Sequence, residues 1–349
     1  MNSKLDRKMD HPMPTPRSTP LPRWAYRDGT IVPYREAAFG LLTHALNYGT
    51  GLFAGLRGYW NVEEGQLFVF RPEDHFRRFC DSARLLRMEL GVTPADLTRG
   101  LVDLLRAEGY RENCYIRPVA FYGDETIGVR LHGLTPVVGM AAVPFGSYLG
   151  KEEGAHVAIS SWRRVPDNVI PARGKLAGSY VNSALAKTDA VLAGFDGALL
   201  LNQHGHVSEG SVENVFMRKG GVVVTPAVTD DVLEGFTRAT AIELLREDLG
   251  QTVVERSIDR TELYLADELF LTGTGAEITP VTRVDHRAIA DGRIGPIAAA
   301  LRVRYLETTC GRVAKYRGWC RPVYAAGSAG ESPKPQPAAA LAPVAPSSP

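Results

Sequence analysis

Apolar residues recur along the chain with two distinct periods. Phe76, Phe79, Ala83, Leu86 and Leu90 fall at three- and four-residue spacing behind Pro72, which predicts an amphipathic helix over 72–90. Leu97 to Glu108 repeats the pattern and meets a stop signal at Gly109, and Thr237 to Leu249 does so ahead of Gly250. Between them lie short runs rich in β-branched and aromatic residues. Gly65–Phe70, Asn113–Tyr122, Pro136–Val143, His156–Trp162, Gly197–Asn202 and Glu268–Thr272 are predicted strands. Val212–Arg218 and Val222–Thr225, separated by Lys219-Gly220-Gly221, predict a β-hairpin with a glycine turn. Helices and strands mix in both halves with no regular βαβ alternation. The expected fold class is therefore α+β, not a doubly wound nucleotide fold.

The chain has 349 residues, enough for two domains. The run PFGSYLGKEEG interrupts the periodic pattern with glycine and charge, so a first domain is expected over 24–144, a connector over 145–154 and a larger second domain over 155–324. Residues 1–23 hold several prolines and no apolar period, and 325–349 are almost entirely Ala, Pro, Ser and Gly. Both read as disordered extensions, because neither can bury enough surface to offset its ordering entropy.

Composition narrows the class of function. Lys plus Arg is 40 and Asp plus Glu is 39, a balance with no field to attract a nucleic acid or an anionic membrane. The longest apolar stretch, Val137 to Phe145, is broken by Gly139 and Pro144 and is too short to span a bilayer. The N-terminus lacks the apolar run of a signal peptide. Cys80, Cys114, Cys310 and Cys320 are widely spaced with no CxxC pair, which fits a reducing cytoplasm and no structural zinc. His204 and His206 have no third metal ligand at a helpful spacing and read as a polar turn. A cytoplasmic protein without a metal is expected.

Candidate chemistry begins with the lysines, of which there are only eight. Lys175 stands apart in Ile170-Pro171-Ala172-Arg173-Gly174-Lys175-Leu176-Ala177-Gly178, where small residues let the backbone approach a bulky group. A lysine buried beside a cofactor can have its pKa lowered and act as a Schiff-base amine, although taken alone a surface lysine on a glycine-rich loop is the favoured reading. Gly235-Phe236-Thr237-Arg238 opens a helix whose free N–H groups suit an anion, and Gly273-Thr274-Gly275 follows a strand and can form a nest of N–H groups. Glu209, in Val207-Ser208-Glu209-Gly210, is by itself a turn carboxylate. The common nucleotide-binding glycine motifs are absent.

Taken in order, these segments resemble the fold-type IV family of pyridoxal-phosphate enzymes, and within it the branched-chain-amino-acid aminotransferases. The ordered set runs from His44-Ala45-Leu46-Asn47-Tyr48-Gly49 and Phe53-Ala54-Gly55 through His75-Phe76-Arg77-Arg78, Tyr115-Ile116-Arg117-Pro118 and Ser160-Ser161-Trp162-Arg163-Arg164. It continues through KLAGSYVNSALAK, VSEGSVENVF, LEGFTR and YLADELFLTGTGAEITPV, covering about Arg35 to Val284.

The resemblance implies a two-domain fold, a small N-terminal α/β domain and a larger C-terminal one with a pseudo-barrel, holding pyridoxal 5′-phosphate between them. It implies that Lys175 joins the cofactor as a Schiff base and shuttles the proton, that Glu209 faces the pyridine nitrogen, and that Tyr180 lies near the ring hydroxyl. Arg78, Phe236, Thr237 and Thr274 would hold the phosphate. Tyr48, Phe53, Tyr115, Arg117, Phe145, Tyr148, Thr274 and Gly275 would meet the substrate, with Tyr48 reaching the site of a neighbouring subunit in a homodimer. Arg117 would receive the acidic side chain of glutamate; its other reading is a strand-end arginine paired with Asp124 or Glu125.

The implied reaction is a ping-pong transfer of the amino group of leucine, isoleucine or valine to 2-oxoglutarate, with amino acids and 2-oxo acids as the partners. The sequence departs from the family pattern at Ala54 (usually glutamate, on the substrate side), Phe145 (often tryptophan), Gly275 (often alanine) and Ser179 (often asparagine). Transaminases of the same fold acting on D-amino acids, (R)-amines or a specialised donor, a lyase of the aminodeoxychorismate type, and a cofactor-free binding module are the alternatives.

Overall fold

In the computed structural model, residues 20–146 and 153–325 are described. Most of the expected connector and terminal extensions, and Tyr148, lie outside the described residues. Two sheets organise the chain. The first has eight strands in the order Cys320–Pro322, Gln66–Phe70, Leu56–Asn61, Cys114–Tyr122, Pro136–Pro144, Trp24–Arg27 and Thr30–Pro33, with Gly51–Phe53 also paired to Cys114–Tyr122, and every pairing is antiparallel. The second has nine strands in the order Val207–Gly210, Gly197–Leu201, Ala155–Arg163, Glu277–Val284, Glu268–Gly273, Asn214–Lys219, Val222–Thr225 and Thr252–Glu255, with Arg287–Ala288 beside Glu277–Val284. Ala155–Arg163 runs parallel to both of its neighbours, and Val222–Thr225 runs parallel to Thr252–Glu255. Mixed sheets and helices confirm the α+β class.

The helix expected over 72–90 spans Pro72–Leu85. Arg87 takes a left-handed φ of 57° and the Met88 N–H returns to the Ala83 carbonyl, so the chain folds back. Leu86 and Leu90 keep the apolar period because that turn packs them on the same core. The helix Pro94–Glu108 starts earlier than its apolar pattern, at a capping box between Thr93 and Asp96, and stops at Gly109 as read. The hairpin forms with Gly220 and Gly221 both at positive φ (57° and 82°), the geometry of a two-residue turn matched to strand twist. Its first strand begins at Asn214 and not at Val212, because a tight turn closed by Gly210 N–H to the Glu213 carbonyl, 2.6 Å, precedes it.

The second domain expected at 155–324 also differs at its end. Cys320–Pro322 crosses back to form the edge of the first sheet, where Val323 is fully buried against the first core. One apolar cluster joins the two sheets: Tyr59, Phe68 and Phe70 of the first pack with Phe216 and Phe270 of the second, through Leu244 and Leu245 of the helix Phe236–Glu247 and Leu301 and Tyr305 of Pro296–Thr309. The two sheets are thereby fixed against each other, and the functional cavity opens along their seam. Among the described residues no helix is long and apolar enough to cross a membrane.

Candidate active site

A cavity of about 420 Å³ lies at that seam. It brings together Lys175, Arg78, Tyr180, Glu209, Phe236, Thr237, Thr274, Phe53, Tyr115, Arg117, Phe145 and Gly275 from both sheets. Four lining cations (Lys175, Arg78, Arg117, Arg164) face two lining carboxylates (Glu209, Glu213), so the cavity favours an anionic occupant.

Lys175 sits on the loop leading into the helix Tyr180–Leu192, pinned by its own backbone: its N–H donates to Ser82 Oγ at 3.3 Å and its carbonyl accepts from Phe53 N–H at 3.0 Å. Its Nζ lies 5.4 and 5.3 Å from the ring centres of Phe53 and Tyr180. Desolvation, reinforced by the Arg78 charge, lowers its pKa to about 8, so a neutral, nucleophilic amine is accessible near neutral pH.

Glu209, 6 % exposed, is held from three directions. Its Oε1 pairs with Arg164 Nη2 at 2.8 Å, and its Oε2 accepts from Leu233 N–H and Asn214 Nδ2, both at 3.0 Å. Burial raises its pKa and the Arg164 charge opposes that shift. A carboxylate offers about four lone-pair positions, so these three bonds leave it able to accept from a basic ring nitrogen in the cavity.

The same cavity holds a cup suited to an anion. The twelve-residue helix Phe236–Glu247 opens into the cavity with Gly235 at its N-cap and no side-chain cap bond, so its first N–H groups are available. Gly235 is required by space: a Cβ there would lie 2.2 Å from Asn214 Oδ1. Arg78, from Pro72–Leu85, lies over the Phe236 ring at 4.5 Å and donates to the Glu234 carbonyl at 2.7 Å, with no carboxylate partner among the described residues. Desolvation lowers its pKa to about 10. Gly273, Thr274 and Gly275 close the cup, and the Gly275 carbonyl accepts from Arg57 Nη1 at 3.3 Å.

Arg117 lines another wall of the cavity, stacked on Phe53 at 4.5 Å and donating to the Tyr115 hydroxyl at 3.1 Å. Its pairing with Asp124 or Glu125 does not form; the Asp124 carboxylate instead accepts from Thr135 N–H at 2.6 Å. Phe145 completes that wall beside Tyr115, with ring centres 5.3 Å apart. Gly55 is needed there because a Cβ would come within 2.1 Å of the Tyr115 hydroxyl. Ala54 does not line the cavity: it is buried in the first apolar core, so the position expected on the substrate side acts through packing.

Tyr48 is not brought to this cavity either. It lies on the exposed turn of helix His44–Tyr48, where its hydroxyl accepts from Gly128 N–H at 3.0 Å. Arg164, Asn214 and Arg57 were not singled out as site residues by sequence. The paired arginines of Trp162-Arg163-Arg164 and the asparagine five residues after Glu209 were the available signals, but only folding shows which groups they support.

The residues fit a flat ring bearing a phosphate at one end and a basic nitrogen at the other. Thr272 Oγ1 and Ser211 Oγ are buried on the cavity wall without a protein partner, polar positions that a bound group would satisfy.

The comparisons with known proteins agree with this geometry. The sequence pattern of "Amino-transferase class IV" matches residues 51–284, and the chain belongs to that family, of fold-type IV. A probable branched-chain-amino-acid aminotransferase of Aquifex aeolicus is 45 % identical over 301 residues, 86 % of this chain and 97 % of that protein. The crystal structure of the branched-chain amino acid aminotransferase from Thermobaculum terrenum in its PLP form superposes with a TM-score of 0.84 at 40 % identity, covering 87 % of this chain and 99 % of that one. The branched-chain aminotransferase of the archaeon Thermoproteus uzoniensis, crystallised with norvaline, gives 0.83 at 42 % identity, covering 87 % of this chain and 100 % of that one.

Proposed function

We propose that this chain is a pyridoxal-phosphate-dependent transaminase that moves the amino group of branched-chain L-amino acids to 2-oxoglutarate. The observation that carries the reading is that one cavity is lined together by Lys175, the uncapped N-terminus of the helix Phe236–Glu247 and the buried Glu209 carboxylate. Pyridoxal phosphate supplies an aldehyde that takes up amino groups and a pyridinium that delocalises the electrons released at the substrate Cα.

The chain's own residues do the rest. Arg78, Thr237, Thr274 and the N–H groups at Phe236 would bind the phosphate. Glu209, fixed by Arg164 and Asn214, would hold a proton on the ring nitrogen. Tyr180, on the wall of the same cavity, would lie at the ring's hydroxyl side. Lys175 Nζ would take the proton from the substrate Cα and deliver it to the former aldehyde carbon, which is left bearing the amino group. Phe53, Tyr115, Phe145 and Gly275 form an apolar wall suited to a branched side chain, and Arg117 supplies a cation for the second carboxylate of glutamate.

Tyr48 belongs to a homodimer in which it reaches the neighbouring cavity; the exposed Leu41, Leu42 and Leu46 beside it, with Ile127 and Val129, support an interface at this edge. The reading is tested by a donor panel with 2-oxoglutarate as acceptor. L-leucine, L-isoleucine and L-valine should be turned over well ahead of D-amino acids and plain (R)-amines. Preference for a D-amino acid or an amine, or turnover that needs no keto-acid acceptor, would replace the reading with another chemistry of the same fold.

A further inference from the structure

Arg57 stands behind the cavity wall and does not line it. It is 3 % exposed, on the first-sheet strand Leu56–Asn61, in register with Tyr115. Its Nη2 donates to the Gly146 carbonyl at 2.7 Å, one residue past Phe145, and its guanidinium carbon lies 5.3 Å from the Phe145 ring centre. Its Nη1 donates to the Gly275 carbonyl at 3.3 Å and pairs with Glu277 Oε1 at 3.3 Å. These last two contacts fall on one hairpin of the second sheet. Gly273 pairs with Glu277 across it, and its tip of Thr274, Gly275 and Ala276 lines the cavity. Glu277 closes the tip at a left-handed φ of 55°, a conformation uncommon for a residue with a side chain, and Arg57 holds its carboxylate.

As scaffolding alone this arrangement is costly. Arg57 Nε is buried with no partner, and a well-packed apolar side chain in place of a buried ion pair is often neutral or stabilising. An apolar side chain cannot fix two carbonyls at once, whereas the planar guanidinium fork can. We propose that Arg57 is a positioning residue for side-chain specificity: it straps the Phe145 wall to the hairpin tip at Gly275 and so sets the width of the pocket that takes the substrate side chain. Phe145 belongs to the first sheet, its N–H donating to the Asn113 carbonyl at 2.9 Å, and Gly275 belongs to the second. The strap therefore crosses the seam, and the gap between these two walls is fixed by one side chain. Arg57 acts through the two carbonyls, the Glu277 carboxylate and the ring it stacks on.

This inference rests on the proposed transamination of branched-chain donors. The test uses pyridoxal-phosphate-loaded wild type, Arg57→Met, Arg57→Lys and Glu277→Gln, with L-leucine and the shorter, unbranched L-2-aminobutyrate as donors. Methionine is of similar length and loses every donor; lysine keeps the charge and replaces the fork by a point. A wall that yields costs the donor that fills the pocket more than the donor that leaves it partly empty. The ratio of kcat/KM for leucine over aminobutyrate should therefore fall roughly 10-fold in Arg57→Met, the low end of what one methylene is worth in an apolar pocket. Arg57→Lys should lie between, and Glu277→Gln should move the ratio the same way by less.

Activity is counted per cofactor-loaded site, so a merely structural role would lower both donors alike and leave the ratio in place. Arg57→Lys carries the test if Arg57→Met does not fold, and Glu277→Gln if neither does. An unchanged ratio, or equal losses with both donors, overturns the inference. Wild-type protein that does not turn over L-leucine, or cannot be trapped by borohydride as a Lys175 adduct, contradicts the transaminase reading itself, an outcome distinct from either.

Discussion

Lys175 shows what burial does to a single residue. Its ordinary pKa is 10.5 and its folded value is about 8, so the folded chain disfavours the charged amine. In the cofactor-free protein at pH 7 it is protonated in both folded and unfolded states, and the fold carries the desolvation cost. Lys175→Met removes that cost and should stabilise the cofactor-free protein by on the order of 1–3 kcal/mol, discounted for water in the cavity. As pH rises from 8 towards 10.5, the folded wild type gives up its proton before the unfolded chain does. Wild-type stability relative to the variant therefore rises over that window and the gap closes. Denaturant titrations of both proteins at pH 7 and 9.5 check this, and a gap that is absent or independent of pH would contradict it.

Arg117 is stacked on Phe53 and bonded to the Tyr115 hydroxyl, with no acidic partner among the described residues. Arg117→Leu should slow the glutamate half-reaction by about 1.5–3 kcal/mol, one to two orders of magnitude in kcat/KM, while sparing the leucine half-reaction. Equal losses with both donors would assign Arg117 to the fold.

At the scale of elements, the helix Phe236–Glu247 and the helix Pro72–Leu85 act as a pair. One presents its N-terminal N–H groups, and the other carries Arg78 onto the same point through the Glu234 carbonyl. Arg77 pairs with Asp74 at the exposed surface and is not available for that task. A phosphate contact made equally in ground and transition states governs retention, so Arg78→Ala should raise the cofactor's Kd about 10- to 100-fold. Equilibrium dialysis measures it, and an unchanged Kd would move the anchor elsewhere.

The elements themselves were unevenly legible. The helices Pro94–Glu108 and Phe236–Glu247 announced themselves by large apolar residues and stop glycines. The helix Tyr180–Leu192 did not: its buried positions are Ser183, Ala186 and Ala190, too small to mark a face. Pro296–Thr309 hid for the opposite reason, since Val303 and Leu306 lie exposed outside its buried face of Ala298, Leu301 and Tyr305. Cys320–Pro322 is three residues long, and its pairing with Gln66–Phe70 is set by tertiary contact alone.

In the whole molecule, the site belongs to neither sheet. The scarcity of lysines and its small neighbours singled out Lys175, but its role, like that of Glu209, was legible only from its place in the ordered motifs. Arg164, Asn214 and Arg57 are defined by what they touch: Arg164 and Asn214 meet Glu209 within the second sheet, and Arg57 reaches from the first sheet to the Gly275 carbonyl, a contact that exists only once the two sheets close on the shared cluster around Phe70, Phe270 and Tyr305. The central claim is that this closure makes Lys175 the proton carrier for an amino acid at the seam. The most direct measurement mixes pyridoxal-phosphate-loaded protein with L-leucine, without any keto-acid acceptor, and follows near-visible absorbance and 2-oxo acid in a single turnover. Wild type should convert about one equivalent of leucine per site, with the absorbance shifting in step, and Lys175→Ala should convert almost none. No 2-oxo acid from the wild type, or an equal yield from Lys175→Ala, would contradict that claim.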